Sequence, residues 1–179
     1  MANTDGPNGF KFAYRVGGGT PSMNTFPVDV SNATAIFQGD LITAEADGNV
    51  KPSAANDGVS VIGVAAGLLD ANKKPILYLP ATTVGYVIVN TDPKSVFEVQ
   101  ADSGTAVTEG DRFATANHSA GAGSVVTGRS GHELDSSDIG TGLQMRIIDK
   151  IQTPDNAWAE HVNLEVMLVE HALADATSI

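Results

Sequence analysis

The feature that most constrains the fold is the rhythm with which the chain is interrupted. From residue 34 onward, strand-sized apolar runs are broken by turn-forming residues about every 8–12 positions, the spacing of a β-sandwich or β-barrel. The runs are Ala35–Phe37, Leu41–Ala44, Val59–Ala66, Ile76–Leu79, Thr83–Val89, Val96–Val99, Arg112–Ala114, Ser124–Thr127, Leu143–Ile148 and Val162–Val169. Pro75, Pro80 and Pro93 fall in the gaps between them, where a missing N–H breaks no ladder. Two runs follow a Gly-Asp step, Gly39-Asp40 and Gly110-Asp111. In each, glycine supplies a turn conformation and aspartate can bond the nearby backbone. The pattern predicts an all-β, mostly antiparallel domain over residues 34–179, either a single barrel or a sandwich.

Residues 1–33 read differently. Phe10, Phe12, Tyr14 and Val16 alternate with Lys11, Ala13 and Arg15, a period of two that places the aromatic rings on one face of a strand. Gly17, Gly18, Gly19 and Pro21 then break the chain, and Phe26, Val28 and Val30 make a second short alternation. The segment is either a first hairpin or an extended arm that pairs with a partner. In the second case Phe10, Phe12, Tyr14 and Phe26 are the partner-binding residues.

Three further segments carry expectations. Val84–Val89 is apolar at nearly every position, which predicts burial on both faces, in a closed barrel or against another copy. Residues 116–142 are rich in Gly, Ser, Ala and His and read as a long Gly/Ser-rich surface loop. Val162, Leu164, Val166 and Leu168 alternate as a strand, although Trp158, Val162, Val166, Val169 and Leu173 also share a helical stripe. Strand is favoured because three of these are β-branched valines, with helix the alternative, above all for residues 170–176.

The chain has no cysteine, which removes disulfides, thiolate metal sites and thiol nucleophiles together. Its 21 acidic against 10 basic residues give a net charge of −11, a poor basis for binding nucleic acid, which rests on neutralising phosphates. The opening MANTDGPNGF has neither a basic nor an apolar region and does not read as a signal peptide. No run approaches the ~20 apolar residues of a membrane span.

Candidates for chemistry are sparse. His132, Glu133, Asp135 and Asp138 form the densest group of possible ligands, but their spacing matches no known zinc or calcium pattern. They read, with His118, as exposed loop residues, and His118, His132, Glu133 and Asp135 are expected to tolerate substitution, with no effect of chelators. There is no Gly-x-Ser-x-Gly elbow, and the glycines at 17–19 and 121–128 give neither GxGxxG nor a P-loop lysine. Neither a catalytic set, a cofactor site nor a metal site is expected.

Two groups of residues carry a resemblance. Met1-Ala2-Asn3 with Pro7-x-Gly9-Phe10 and the glycines at 17–19 open the chain. Thr127-Gly128-x-Ser130-Gly131-x-Glu133-Leu134-Asp135, Leu143-Gln144-Met145-Arg146-Ile147-Ile148, Pro154-Asp155-Asn156 and Val169-Glu170-His171 follow in its second half. In this order they resemble the capsid decoration (cement, or head stabilisation) proteins of tailed phages. The resemblance implies a β-rich, often trimeric virion protein, made in the host cytoplasm. Its partner is the major capsid protein, and it clamps neighbouring capsomers from the outside of the capsid. A tail or baseplate module, or a domain binding host-surface glycans through residues 116–142, is the alternative.

Overall fold

The computed structural model describes residues 3–55 and 61–174. Its strands are β1 (Lys11–Arg15), β2 (Met23–Val28), β3 (Leu41–Ala44), β4 (Val50–Pro52), β5 (Val61–Asp70), β6 (Pro75–Ile76), β7 (Gly85–Asn90), β8 (Ser95–Gln100), β9 (Thr115–Gly121), β10 (Gly131–Gly140), β11 (Met145–Lys150) and β12 (Asn163–Leu168). They form two antiparallel sheets. The first runs β1-β8-β12-β11-β9-β10, and the second β2-β7-β5-β3-β4 with β6 attached to β5. The chain is thus all-β and sandwich-like, and among the described residues no barrel closes. Among the described residues no helix is long and apolar enough to cross a membrane.

Two apolar clusters hold the sheets. One lies between them, with Phe97, Val99, Met145, Ile147, Leu164 and Val166 from the first sheet meeting Leu41, Val61 and Val64 from the second. The other gathers Ile42, Val50, Ile62, Leu68, Val87 and Val89 from the opposite side of the second sheet, under Ile36 and Leu79. Strands β3 and β5 therefore serve both clusters, Leu41 and Val64 facing one way, Ile42 and Ile62 the other. Burying each such side chain contributes about 1.5–3 kcal/mol, so these two strands tie the halves of the molecule together.

Burial on both faces was expected of Val84–Val89, and within one chain the structure places it elsewhere. In β7, Gly85, Val87 and Val89 are buried while Tyr86 and Ile88 are only half-buried, and Val84 is exposed. The run is uniformly apolar, yet it has one core face. β5 is buried on both faces, and its Gly63 and Gly67 dilute the same signal. Residues 59 and 60 of the expected run lie outside the described residues.

The reading of 116–142 as a surface loop is also corrected. These residues form the β9–β10 hairpin, paired from Gly131↔Gly121 to Leu134↔His118 and again at Ile139↔Ala116. Only 122–130 remain as its tip, where Ser124–Thr127 is a turn and not a strand, with Val125 and Val126 exposed. Arg112–Ala114 is likewise no strand. It follows a short 3₁₀ turn at Glu109–Asp111, in which Asp111 accepts the Thr108 N–H at 2.8 Å. The Gly39-Asp40 step behaves as expected, with Gly39 at φ 96° and the Asp40 carboxylate accepting the Phe37 N–H at 2.7 Å. The last element is strand β12. Residues 170–174 then turn and bridge to β5 through Val61 and His171 rather than forming a helix, and 175–176 fall outside the described residues.

The N-terminal 33 residues do not stand apart. β1 completes the first sheet against β8, and β2 the second against β7. They are neither a hairpin nor a free arm. Gly17, Gly18 and Gly19 cross between the two sheet edges, and Arg15 staples the crossing by pairing with Asp92 and donating to the Gly18 carbonyl.

Candidate functional site

The aromatic residues of the N-terminal segment are not equivalent. Phe10 is 2% exposed and belongs to the cluster between the sheets, so it is a core residue and not a contact residue. The pairing of β1 with β8 slips between Phe12 and Tyr14, leaving Ala13 bulged. A bulge reverses the alternation, and the expected common face is lost. Phe12 lies opposite Phe97 and meets its ring edge-on at 6.4 Å. Tyr14 lies opposite Val96 on the other face and donates its hydroxyl to Glu165 at 3.1 Å. Phe26 is half-buried against the second cluster. Of the four residues, Phe12 and Tyr14 alone present substantial surface, 42% and 43%.

Phe12 sits at the lip of a cleft of about 330 Å³ between the two sheet edges. The opposite lip is Met23 of β2, 46% exposed. Phe10, Val64 and Phe97 line the interior, with Arg129 and Asn8 beside them. Asn90 is a further wall residue, 2% exposed. Its Oδ1 accepts from the Asp92 N–H and the Ser95 hydroxyl, while its Nδ2 has no hydrogen-bond partner. A buried amide donor left unpaired is costly, so the cleft has an apolar floor beside a strained polar residue. Met23 escapes sequence reasoning because nothing in the pattern says that β1 and β2 end side by side in different sheets.

A second polar group lies deeper. His118 and His132, expected in an exposed loop, are buried and stack at 5.1 Å between ring centroids. The ring nitrogens of His118 face Gln144 Oε1 at 2.7 Å and the Ser53 carbonyl at 3.2 Å. His132 Nδ1 accepts the Leu41 N–H at 3.3 Å, which places its proton on Nε2, 3.6 Å from Asp40 Oδ1. Burial pushes the Asp40 carboxyl up to about 6, against hydrogen bonds from Ser130 and the Phe37 N–H. Burial, with His118 alongside, pushes His132 down to about 3. Asp40 and His132 also line a second cleft, of about 660 Å³, otherwise walled largely by alanines and glycines.

The arrangement is unlike a catalytic triad. With Nδ1 of His132 taken up by the Leu41 N–H and the ring proton on Nε2, neither nitrogen can take a proton from a nucleophile. The remaining members of the expected ligand group diverge. Asp135 accepts from Ser137 and Asp138 from Asn117, while Glu133 points to the other side of β10 from His132.

The Asp40 environment makes a pH prediction. A carboxyl whose pKa rises from 3.8 to about 6 on folding binds more protons folded than unfolded between those values. Stability from this group is therefore greatest below pH 4 and is lost as pH rises to about 6. Asp40→Asn has no such proton. The stability of the wild type relative to this variant should fall by about 2–3 kcal/mol between pH 4 and pH 6.5 and then stay level. Urea unfolding of both proteins across that range measures it, and parallel curves would refute it.

Comparison of the chain with protein-family models, with curated proteins and with solved structures finds no match.

Proposed function

We propose that the protein is a structural, non-enzymatic component of a tailed-phage particle, decorating the outside of the capsid and bracing neighbouring capsomers. The observation that carries this reading is the cleft at the paired sheet edges. Two exposed apolar side chains, Phe12 and Met23, come from different sheets to rim one groove whose floor is rigid core. Aromatic and methionine side chains over such a floor are typical anchors for another protein. The resemblance of the chain to capsid decoration proteins names the partner as the major capsid protein. The net charge of −11 agrees with a surface turned away from packaged DNA. The engaged nitrogens of His132 speak against chemistry at the second cleft.

Association of three copies on the capsid belongs to the same reading. The face of β7 opposite Val87 and Val89 carries half-buried Tyr86 and Ile88 and exposed Val84, an area suited to contact between copies. Light scattering of the free and capsid-bound protein tests it, and a monomer in both settings would overturn it.

The central test is the double variant Phe12→Ser, Met23→Ser. Both side chains are nearly half exposed, so circular dichroism and melting should change little. Docking can bury only the exposed half of each, about 1 kcal/mol apiece, and tenfold in affinity corresponds to about 1.4 kcal/mol. Co-sedimentation with capsids lacking the protein should therefore fall at least about tenfold in affinity. Undiminished decoration would remove the cleft from the interface. Copy number in purified particles separates this role from a tail or glycan-binding module: hundreds per particle for decoration, few for a fibre.

A further inference from the structure

Residues 3–6 cross one end of the sandwich as a strap. Asn3 Nδ2 donates to the carbonyls of Ala157 (2.9 Å) and Glu160 (2.8 Å), and its Oδ1 accepts the Ala157 N–H at 2.9 Å. Gln100 Nε2 donates to the Thr4 carbonyl at 3.0 Å and the His161 carbonyl at 3.1 Å, while its Oε1 accepts the Gly6 N–H at 2.8 Å. Asp5 is held between these anchors. Its carboxylate is thereby brought to Glu133 of β10 and to His161, which enters β12 with a left-handed backbone at φ 56°. One ligand atom from each of Asp5, Glu133 and His161 lies within 4.8 Å of the other two.

Two of these residues carry an orphaned atom. Glu133 Oε1 and His161 Nδ1 are both inaccessible to solvent, and neither has a hydrogen-bond partner. A carboxylate oxygen and an imidazole nitrogen left so are each destabilising by about 1–3 kcal/mol, and here they are neighbours. The charged groups that bear on Glu133 are the Asp5 and Asp102 carboxylates and the His161 imidazole, more potential anions than cations.

We propose that Asp5, Glu133 and His161 bind a divalent first-row transition ion, Zn²⁺ or Mn²⁺ in class, which clamps the N-terminal strap to β10 and to the start of β12. An imidazole with two carboxylates suits these ions, whereas Ca²⁺ takes oxygen ligands almost exclusively. Ligand bonds of about 2.0–2.2 Å set ligand–ligand separations of about 3–4.3 Å. The Asp5 Oδ1 to His161 Nδ1 distance of 3.9 Å is already inside that range. Asp5 is two-thirds exposed and free to swing the remainder. Water fills the other coordination positions. The inference stands whether or not the protein decorates capsids, because it concerns how the chain holds its own N-terminus.

The test uses the full chain, stripped with EDTA and returned to metal-free buffer. Titration with Zn²⁺, Mn²⁺, Mg²⁺ and Ca²⁺ is followed by calorimetry and by melting, and Co²⁺ by its visible absorption. Zn²⁺ should bind one per chain and raise the melting temperature by at least about 5 °C at a hundredfold excess over its dissociation constant. Co²⁺ should develop the bands of an imidazole-bound ion, while Mg²⁺ and Ca²⁺ should do little. His161→Ala and Glu133→Gln should each weaken Zn²⁺ binding at least tenfold. Asp5→Asn, an exposed change that cannot unfold the protein, should do so too, and Asp102→Asn should not. Absence of one-to-one Zn²⁺ binding, or binding unchanged by Asp5→Asn and His161→Ala, would overturn the proposal.

Discussion

Phe10→Ala is expected to destabilise the protein by about 3–5 kcal/mol, the range for removing a fully buried phenylalanine. Phe10 precedes β1, yet its ring joins Leu41, Val64 and Phe97 in the cluster between the sheets. Its N–H donates to the Gly39 carbonyl at 2.9 Å, fixing it against the turn before β3. The surrounding backbone cannot collapse into the vacated space, because β1 and β3 are each paired to a neighbour. Phe12→Ala, on the strand that follows, removes a half-exposed ring and should stay within about 1 kcal/mol. Deleting residues 2–16 uncovers Phe97 and the edge of β8 together, so the truncated chain should aggregate or lose its β-sheet circular dichroism. Urea midpoints for the two point variants and soluble yield for the deletion measure this. A deletion product that folds and melts like the intact chain would mean that the N-terminal segment is a separable arm after all.

The strands that the sequence made legible are those written in valine, isoleucine and leucine. Leu41–Ala44 coincides with β3, and β7, β8, β11 and β12 fall within two residues of their expected bounds. β11 and β12 bury aliphatic side chains on one face, so period two is visible in the residue types, while β3 and β8 are apolar runs buried on both faces. β9 and β10 obey the same geometry in a different alphabet. Their inward positions include His118 and His132, with Asn117, Asp135 and Ser136 also buried, each satisfied by a polar partner or by the stacked ring. Hydrogen bonding permits polar burial, but it erases the hydropathy contrast on which the reading depends. Glycines at 121 and 131 add to the disguise. A Cβ on Gly121 would stand 2.1 Å from the Gly131 carbonyl oxygen, so small residues there reflect close strand approach and not looseness.

The site residues failed for other reasons. One bulged residue, Ala13, separates Phe12 from Tyr14, and nothing in the local sequence marks it. Met23 becomes a lip of the cleft only through the crossing of Gly17–Gly19 from one sheet to the other. Asp5, Glu133 and His161 come from three distant parts of the chain and meet through a strap held by asparagine and glutamine side chains. Spacing along the sequence could not have collected them, whereas Glu133 alone was singled out among the candidate ligands, with the wrong neighbours.

Gly63→Ala is the substitution expected to do most damage for the fewest atoms, at least about 4 kcal/mol, or outright failure to fold. Gly63 lies in β5 at φ 145°, a conformation that residues with a Cβ rarely adopt. It pairs with Ile42 where the β3–β5 register slips. An added Cβ would sit 2.0 Å from the Asn90 carbonyl oxygen and 2.8 Å from its carbon. Those are backbone atoms of β7, a strand hydrogen-bonded on both sides, to β2 and to β5. They have no room to retreat without breaking a ladder. The consequence spreads because β5 feeds both clusters, Val61 and Val64 into one and Ile62, Ala65 and Leu68 into the other. Gly67→Ala on the same strand supplies the control. Its Cβ would meet the Ile88 side chain alone, Cδ1 at an ordinary 3.5 Å and Cβ at 3.9 Å, and it should cost less than about 1 kcal/mol. Chemical unfolding of both variants decides the matter, since a Gly63→Ala protein as stable as Gly67→Ala would show that β5 and β7 do not approach as closely as the fold requires.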